Sequence, residues 1–285
     1  MMTGLAVREG NVAAYKFTDL HFDKLRMLVA ETTGISLSDH KRDLLYGRLT
    51  RRLRALGLQD FDQYIALLAD RPDDELQNFI NAVTTNLTSF FRENHHFEFL
   101  ANELFPQLEK QGRARGMRIW SAGCSTGEEA YSIAMTVREY FADAGAMDIK
   151  ILASDLDTSV VQTAANGIYD QSRIEGMPPE RVKRWFQRGS GSNAGKVRVR
   201  RELAELITFR QLNLMQAWPM QSMFDVVFCR NVVIYFDKPT QSRLFNNFAS
   251  VIKPGGHLII GHSETLHKVC DRFELIGKTI YRKPD

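Results

Sequence analysis

Apolar residues recur at helical spacing from Phe17 to about Arg71. Phe22, Leu25, Leu28 and Val29 predict a first helix, and Leu44, Leu45, Leu49 and Leu53 a second. Ser36 or Ser38-Asp39 suits the start of the second helix, and Gly57 its end. Further helices are expected over Phe61–Leu68 and Asp73–Val83. No strand pattern interrupts this stretch, which predicts a small all-helical domain. Residues 1 to about 14 carry no such pattern and are expected to be poorly ordered.

The pattern then changes. The apolar run Arg118-Ile119-Trp120-Ser121-Ala122 stops at the glycine-bracketed turn Gly123-Cys124-Ser125-Thr126-Gly127, and a helical pattern follows through Val137. Strand, glycine turn, helix is the opening unit of a nucleotide-type α/β domain. Buried-strand patterns recur at Ile149–Asp155, Leu206–Leu214, Phe224–Asn231 and His257–Gly261, with a final pair near Phe273–Ile276 and Thr279–Tyr281. Val232–Phe236 reads as a loop or short helix, and Thr240–Ile252 as a helix closed by Lys253-Pro254-Gly255-Gly256. Alternating strands and helices imply a mostly parallel sheet with its ligand at the strands' carboxyl ends. Those ends carry Gly123, Asp155, Asn213 and Asn231. About fifty residues separate Asp155 from the strand at Ile207, too many for a simple connection. Within them a glycine-rich run precedes Lys196-Val197-Arg198-Val199-Arg200-Arg201, whose alternation predicts an antiparallel insertion with its basic side chains on one face. An exposed edge there suits an extended peptide.

The glycine turn admits three chemistries. A phosphate cradle is disfavoured, because Glu128 and Glu129 would repel an anion and neither the P-loop lysine nor the third glycine of the dinucleotide pattern is present. Asp155 also lies farther from Gly123 than the roughly 20 residues of that pattern. A nucleophile elbow is the rival: Gly123–Gly127 fits G-x-S-x-G, with Asp225 or Asp237 and His257 or His262 in triad order. The upstream hundred residues, however, lack the strands and the oxyanion loop that an α/β-hydrolase needs. The third is a nucleotide-like ligand carrying positive charge, such as S-adenosylmethionine, with Asp155 accepting ribose hydroxyls.

The 285 residues suffice for two domains, and 44% hydrophobic with 25% charged residues is a globular composition. Cys124, Cys229 and Cys270 are widely spaced, so neither a disulfide framework nor a zinc site is indicated. No metal is expected. His95 and His96 are adjacent and do not share a helix face. Neither a signal-peptide core nor a membrane-spanning run is evident, so the expected compartment is the reducing cytoplasm. The net charge of +3 does not imply nucleic acid. Basic residues nevertheless crowd the second helix, where Arg48, Arg51, Arg52 and Arg54 predict docking of an acidic surface. No aromatic interleaves them for base stacking. At the junction, Thr84–Glu93 is rich in hydroxyl and amide groups and presents Arg92, which suits a carboxylate.

These residues together resemble the chemotaxis receptor glutamate O-methyltransferases, the CheR family. The resemblance runs over nearly the whole chain. It rests on Thr85-Asn86-Leu87-Thr88 with Phe90-Phe91-Arg92-Glu93, Trp120–Glu129, Ala153-Ser154-Asp155-Leu156-Asp157, Phe228-Cys229-Arg230-Asn231-Val232 with Ile234-Tyr235-Phe236, and Gly261-His262-Ser263-Glu264. Ala130 stands where many relatives have proline, and both suit a helix's first turn. The resemblance implies a Rossmann-like class I methyltransferase sheet over 86–285, a helical receptor-facing domain over 1–85 and a β insertion at about 186–204. It implies S-adenosylmethionine as methyl donor, held by Asn86, Thr88, Arg92, Glu129, Asp155, Asn213, Leu214, Arg230 and Asn231. Arg92 and Tyr235 are implied to lie near the transferred methyl. The implied partners are the acidic cytoplasmic helices of chemoreceptors, met by a monomer recruited to membrane receptor arrays. Some relatives also hold the receptor's C-terminal peptide on the inserted sheet.

Overall fold

The computed structural model describes residues 15–70, 72–141 and 147–285. The first fourteen residues, expected to lack order, and Arg71 lie outside the described residues. Four helices come first: α1 (Asp19–Thr33), α2 (Arg42–Leu56), α3 (Phe61–Ala69) and α4 (Asp73–Val83). Helix α1 starts on a capping box from Thr18 and ends at Gly34, whose φ of 75° is the left-handed conformation that favours glycine. Helix α2 is preceded by the 3₁₀ turn Asp39–Lys41 and ends at Gly57. Phe22, Leu25, Val29, Leu45, Leu49 and Leu53 pack with Phe61, Tyr64 and Phe79 into one buried core.

A helical rod follows, α5 (His95–Phe99) and α6 (Phe105–Lys110) joined by a π-turn at Leu100–Leu104. The α/β part then runs β1 (Arg118–Ala122), α7 (Glu128–Tyr140), β2 (Lys150–Asp155), α8 (Thr158–Asn166), β3 (Ile168–Asp170), α9 (Pro179–Trp185), β4 (Phe186–Arg188), β5 (Lys196–Val199) and α10 (Arg201–Ala204). It continues with β6 (Ile207–Gln211), β7 (Phe224–Cys229), α11 (Lys238–Val251), β8 (Ile252–Ile260), β9 (Glu274–Gly277) and β10 (Ile280–Arg282). The main sheet has the order β6-β2-β1-β7-β8-β10-β9. Strands β6, β2, β1, β7 and β8 pair in parallel, and β10 pairs antiparallel to β8 and β9. The chain builds outward from β1 through β2, then crosses over to β7. The crevice between β1 and β7 is therefore the switch point where such sheets bind ligands.

Both faces of the sheet are covered, which explains its unbroken apolar strands. Ile119, Ile151, Val226, Phe228 and Ile259 point to one core with the α7 residues Ile133 and Val137. Trp120, Val227, Leu258 and Ile260 point to the other, against Leu244, Phe245 and Phe248 of α11.

Two expectations change in detail. Lys253-Pro254-Gly255-Gly256 closes no helix. It belongs to β8, which shifts register between Phe224 and Val226 of its partner strand, and Gly255 there has φ 69°. The insertion is also larger than residues 186–204. Its sheet has the order β3-β5-β4, so it begins with Ile168–Asp170, and Arg201–Ala204 leaves it as a helix. Strand β5 alternates as its sequence indicated, with Lys196 and Arg198 exposed and Val197 and Val199 buried.

Candidate functional site

The turn after β1 is held from within. The Gly123 and Cys124 N–H groups donate to Ser154 O at 2.8 and 2.9 Å, and Gly127 N–H to Cys124 O at 3.0 Å. Ser125, at φ 50°, donates its N–H to Asp155 Oδ2 at 2.8 Å. An anion cradle needs free N–H groups, and these four are occupied. Gly123 has φ 88°, and a Cβ there would meet Val232 Cγ2 at 2.4 Å, so this position requires glycine.

The two glutamates diverge. Glu128 is fully buried against Arg173, which also donates to Thr88 O at 2.8 Å. Glu129 turns toward the crevice, accepting from Ser121 Oγ at 2.7 Å and from Arg230 Nη1 at 3.0 Å. Arg230 also donates to Arg92 O and lies 3.5 Å from Glu93 Oε2, while its Nε is buried without a partner. Burial pushes the Glu93 carboxyl up, but the His262 hydrogen bond and Arg230 outweigh it and hold the group below its usual range.

At the end of β2, Asp155 accepts from Ser125 N–H and Asp157 N–H and has no cationic partner among the described residues. Burial raises its carboxyl pKa against those two donors. Asp157 caps α8, accepting from Ser159 and Val160 N–H. Its other oxygen binds Thr84 Oγ1 and Asn86 Nδ2, both at 2.8 Å. This anchors the junction to the sheet.

One cavity lies over these strand ends, with about 910 Å³ of space including its open mouth. Every residue the sequence assigned to the methyl donor lines it: Asn86, Thr88 and Arg92 from the junction; Glu129 and Asp155 from the sheet; and Asn213, Leu214, Arg230 and Asn231 from the later loops. Tyr235 lines it as well. Their engagement differs. Asn213 donates from Nδ2 to Thr32 O at 2.7 Å and accepts Met215 N–H at 2.9 Å, so both ends of its amide serve the fold. Arg92 donates from Nη1 to Leu87 O at 2.9 Å.

The sequence reading missed Thr33 and Ile35, which bring the α1–α2 connection into the cavity wall, and Leu156, Leu212, Val232 and Phe236, which make it apolar. It also gave Glu264 no role. That buried carboxylate accepts the backbone N–H groups of Asn231, Val232, Val233 and Ile234 at 2.9, 2.9, 2.9 and 3.3 Å, and that of Gly261 at 2.6 Å. It fixes Asn231 at φ 58° and the 3₁₀ turn Val233–Tyr235. Its place in the Gly261-His262-Ser263-Glu264 motif, just after an apolar strand, was the signal available.

The nucleophile-elbow alternative fails on geometry. Ser125 Oγ donates to Asn86 O at 3.0 Å. Asp225 sits at the opposite end of the sheet and serves Arg118 N–H and Lys253. Asp237 caps α11, His262 pairs with Glu93, and His257 lies in β8 beside Val226. Burial pushes the Cys124 and Cys229 thiols well up, so neither is an activated nucleophile. The adjacent histidines do converge, contrary to the argument from their spacing. His95 and His96 both reach Lys278 O, and with Glu93 each offers a ligand atom within 4.8 Å of the others. That carboxylate already serves His262 and Arg230.

Of the basic quartet on α2, two members face inward. Arg48 donates to Val83 O, Thr84 O and Thr85 Oγ1, tying α2 to the end of α4. Arg52 pairs with buried Glu75, which also accepts from Tyr64 OH at 2.8 Å. Arg51 and Arg54 are exposed. No helix among the described residues is long and apolar enough to cross a membrane.

A doubly wound sheet, a crevice at its switch point that presents Glu129 and Asp155, and a glycine turn with four of its amides already occupied fit a methyltransferase of the S-adenosylmethionine-dependent class. Arg230 is paired with Glu129, which leaves Asp155, the amides and the apolar walls to suit a nucleoside without phosphates. Residues 86–282 match the CheR methyltransferase SAM-binding domain, and residues 20–84 the CheR methyltransferase all-alpha domain. The chemotaxis protein methyltransferase of Klebsiella aerogenes is 44% identical over 98% of this chain and 97% of its own length. Chemotaxis protein methyltransferase 2 of Pseudomonas aeruginosa is 47% identical over 94% of each chain. The Escherichia coli chemotaxis protein methyltransferase is 45% identical over 93% of this chain and 91% of its own. The chain belongs to the CheR methyltransferase family.

Proposed function

We propose that this protein methylates glutamate side chains on the long cytoplasmic helices of chemotaxis receptors, giving glutamate methyl esters for adaptation. The observation that carries the reading is the cavity at the β1–β7 switch point, where four amides of the glycine turn are occupied and the Asp155 carboxylate lacks a cation. S-adenosylmethionine supplies, when bound, a methyl group on cationic sulfur. Asp155 would hold the ribose hydroxyls, and Glu129 with the junction residues Asn86, Thr88 and Arg92 the amino-acid end. Asn213, Leu214, Arg230 and Asn231 would complete the contacts.

A glutamate carboxylate is already ionised at neutral pH, its reference pKa being about 4.3, so this chemistry needs no general base. Arg92 and Tyr235 orient the acceptor. Alignment is the main contribution, of roughly 7–11 kcal/mol in well-oriented systems. Leu156, Leu212, Leu214 and Phe236 exclude water, which favours a reaction in which opposite charges cancel.

The chain then divides into a receptor-facing unit, 1–85, and a catalytic unit, 86–285, working as a monomer brought to receptor arrays. Exposed Arg51 and Arg54 meet acidic receptor helices. The small sheet is a second contact: Arg188, Lys196 and Arg198 line one recess there, beside the edge strand β4, which suits a receptor C-terminal peptide.

The test is transfer of tritiated methyl to receptor-containing membranes. Label released by alkali is expected, since methyl esters are base-labile. No transfer, or base-stable label, would overturn the assignment.

A further inference from the structure

A second hollow opens beside the cavity, between the α1–α2 connection and the turn that ends in Asp237. Ile35, Thr85, Tyr235 and Phe236 line both hollows, so Tyr235 stands at their shared wall. The wall is fixed from two sides. Ser36 donates its N–H to Tyr235 O at 2.8 Å, and Glu264 holds the turn's own N–H groups. Two apolar side chains flank the outer hollow and remain in solvent: Leu44, 40% exposed, and Ile234, 48% exposed. Lys41 lies in the same rim.

Leu44, Arg48 and Arg51 follow at i, i+4 and i+7, so the apolar rim continues along one face of α2 into its basic surface. Arg48 lies within electrostatic reach of both Arg51 and Tyr235. Lys41, Arg51 and Arg54 have no acidic partner among the described residues. The walls are a helix and two loops, and the turn's N–H groups are occupied, so no sheet edge awaits an extended peptide. A helix, whose backbone is satisfied internally, is the form of partner that side-chain contacts of this kind accept.

We propose that this groove seats the acceptor: an acidic amphipathic helix lays its apolar ridge across Leu44 and Ile234 and passes one carboxylate inward past Tyr235. The proposal rests on the methyl-transfer reading above and specifies which face admits the substrate. Its acidic flank lies against Lys41, Arg51 and Arg54.

The experiment compares Leu44→Glu and Ile234→Glu with Leu275→Glu, an exposed apolar position on β9 used as control. Receptor-containing membranes are the probe, read by methyl-transfer kinetics and by co-sedimentation without methyl donor. Leu44→Glu is expected to raise KM for receptor about tenfold and to weaken co-sedimentation, with kcat and calorimetric affinity for S-adenosylmethionine unchanged. The part of the loss that comes from the missing apolar contact should persist at high salt, whereas the loss of Arg51→Glu should fade, because screening acts on charges and not on apolar contact. Unchanged KM and co-sedimentation in both groove variants would overturn the proposal. So would sedimentation analysis showing that the substitutions shift a self-association equilibrium, which would give the groove to a second copy of the chain. If the unsubstituted enzyme labels no receptor, the methyl-transfer reading falls first. If it labels receptor and Leu44→Glu does so with the same KM, only the groove assignment falls.

Discussion

The Glu264 carboxylate accepts the Asn231 N–H at 2.9 Å through Oε2, the same oxygen that accepts Gly261 N–H. Its other oxygen holds the next three N–H groups of the turn. Glutamine fills the same volume but points an NH₂ at donors. Glu264→Gln is therefore expected to lower affinity for S-adenosylmethionine about tenfold or more, since a buried donor left unmet costs about 1–3 kcal/mol. Calorimetry checks it, with circular dichroism confirming the fold. Unchanged affinity would mean that the turn holds itself.

Asp155→Ala should weaken cofactor binding by about 10–100-fold, at roughly 1.5–3 kcal/mol for hydrogen bonds to a charged group. The same measurement on Ser125→Ala should show little change, because that hydroxyl serves the Asn86 carbonyl. Its methyl transfer should also survive. Loss of transfer with binding intact would bring back a serine nucleophile.

Arg52 and Arg51 are neighbours in sequence with opposite tasks. Arg52→Ala strands the buried Glu75 carboxylate and should cost about 3 kcal/mol, read as a lowered Tm. Arg51→Ala should leave Tm unchanged. Charge reversal at Arg51 and Arg54 should raise KM for receptor, and the effect should shrink with added salt. Equal Tm losses at Arg51 and Arg52 would contradict this division.

Two buried histidines set the acid limb of stability. Burial, with Arg230 and His95 nearby, lowers His96 to about 3. Burial, with Arg282 and Arg113, lowers His257 to about 4 despite Asp225. The unfolded chain takes up these protons near pH 6.5 and the folded chain does not. Stability is therefore whole above pH 6.5 and is lost as pH falls toward 4 and 3. Each histidine removes up to ~1.4 kcal/mol per pH unit in that window. Tm should drop between pH 7.5 and 5, and His257→Gln should reduce that drop. Equal drops in both proteins would remove His257 from the account.

The residues around the cavity were legible because motifs of this kind put small and polar groups at strand ends, and the β/α alternation places those ends together. Helix boundaries followed from Gly57 and from the Leu45–Leu53 stripe. What stayed hidden was direction. Nothing in the run Arg51-Arg52-Leu53-Arg54 says that Arg52 turns to a glutamate on another helix while Arg51 and Arg54 face water. The strand Ile168–Asp170 is three residues long, too short to show alternation, and gains its identity only from pairing with β5. Thr33 and Ile35 carry no motif, and their place in the cavity wall is set by how the helices pack on the sheet.

The Ser36–Tyr235 bond and the Asn213–Thr32 bond are among those that stitch the helical bundle to the catalytic crevice. The bundle is thus a structural member of the crevice and cannot be exchanged as an accessory. Chimaeras that swap the first 85 residues between relatives should lose activity, and moving the turn at Tyr235 from the same parent should restore it. A target that tilts the bundle on contact would tug directly on the tyrosine.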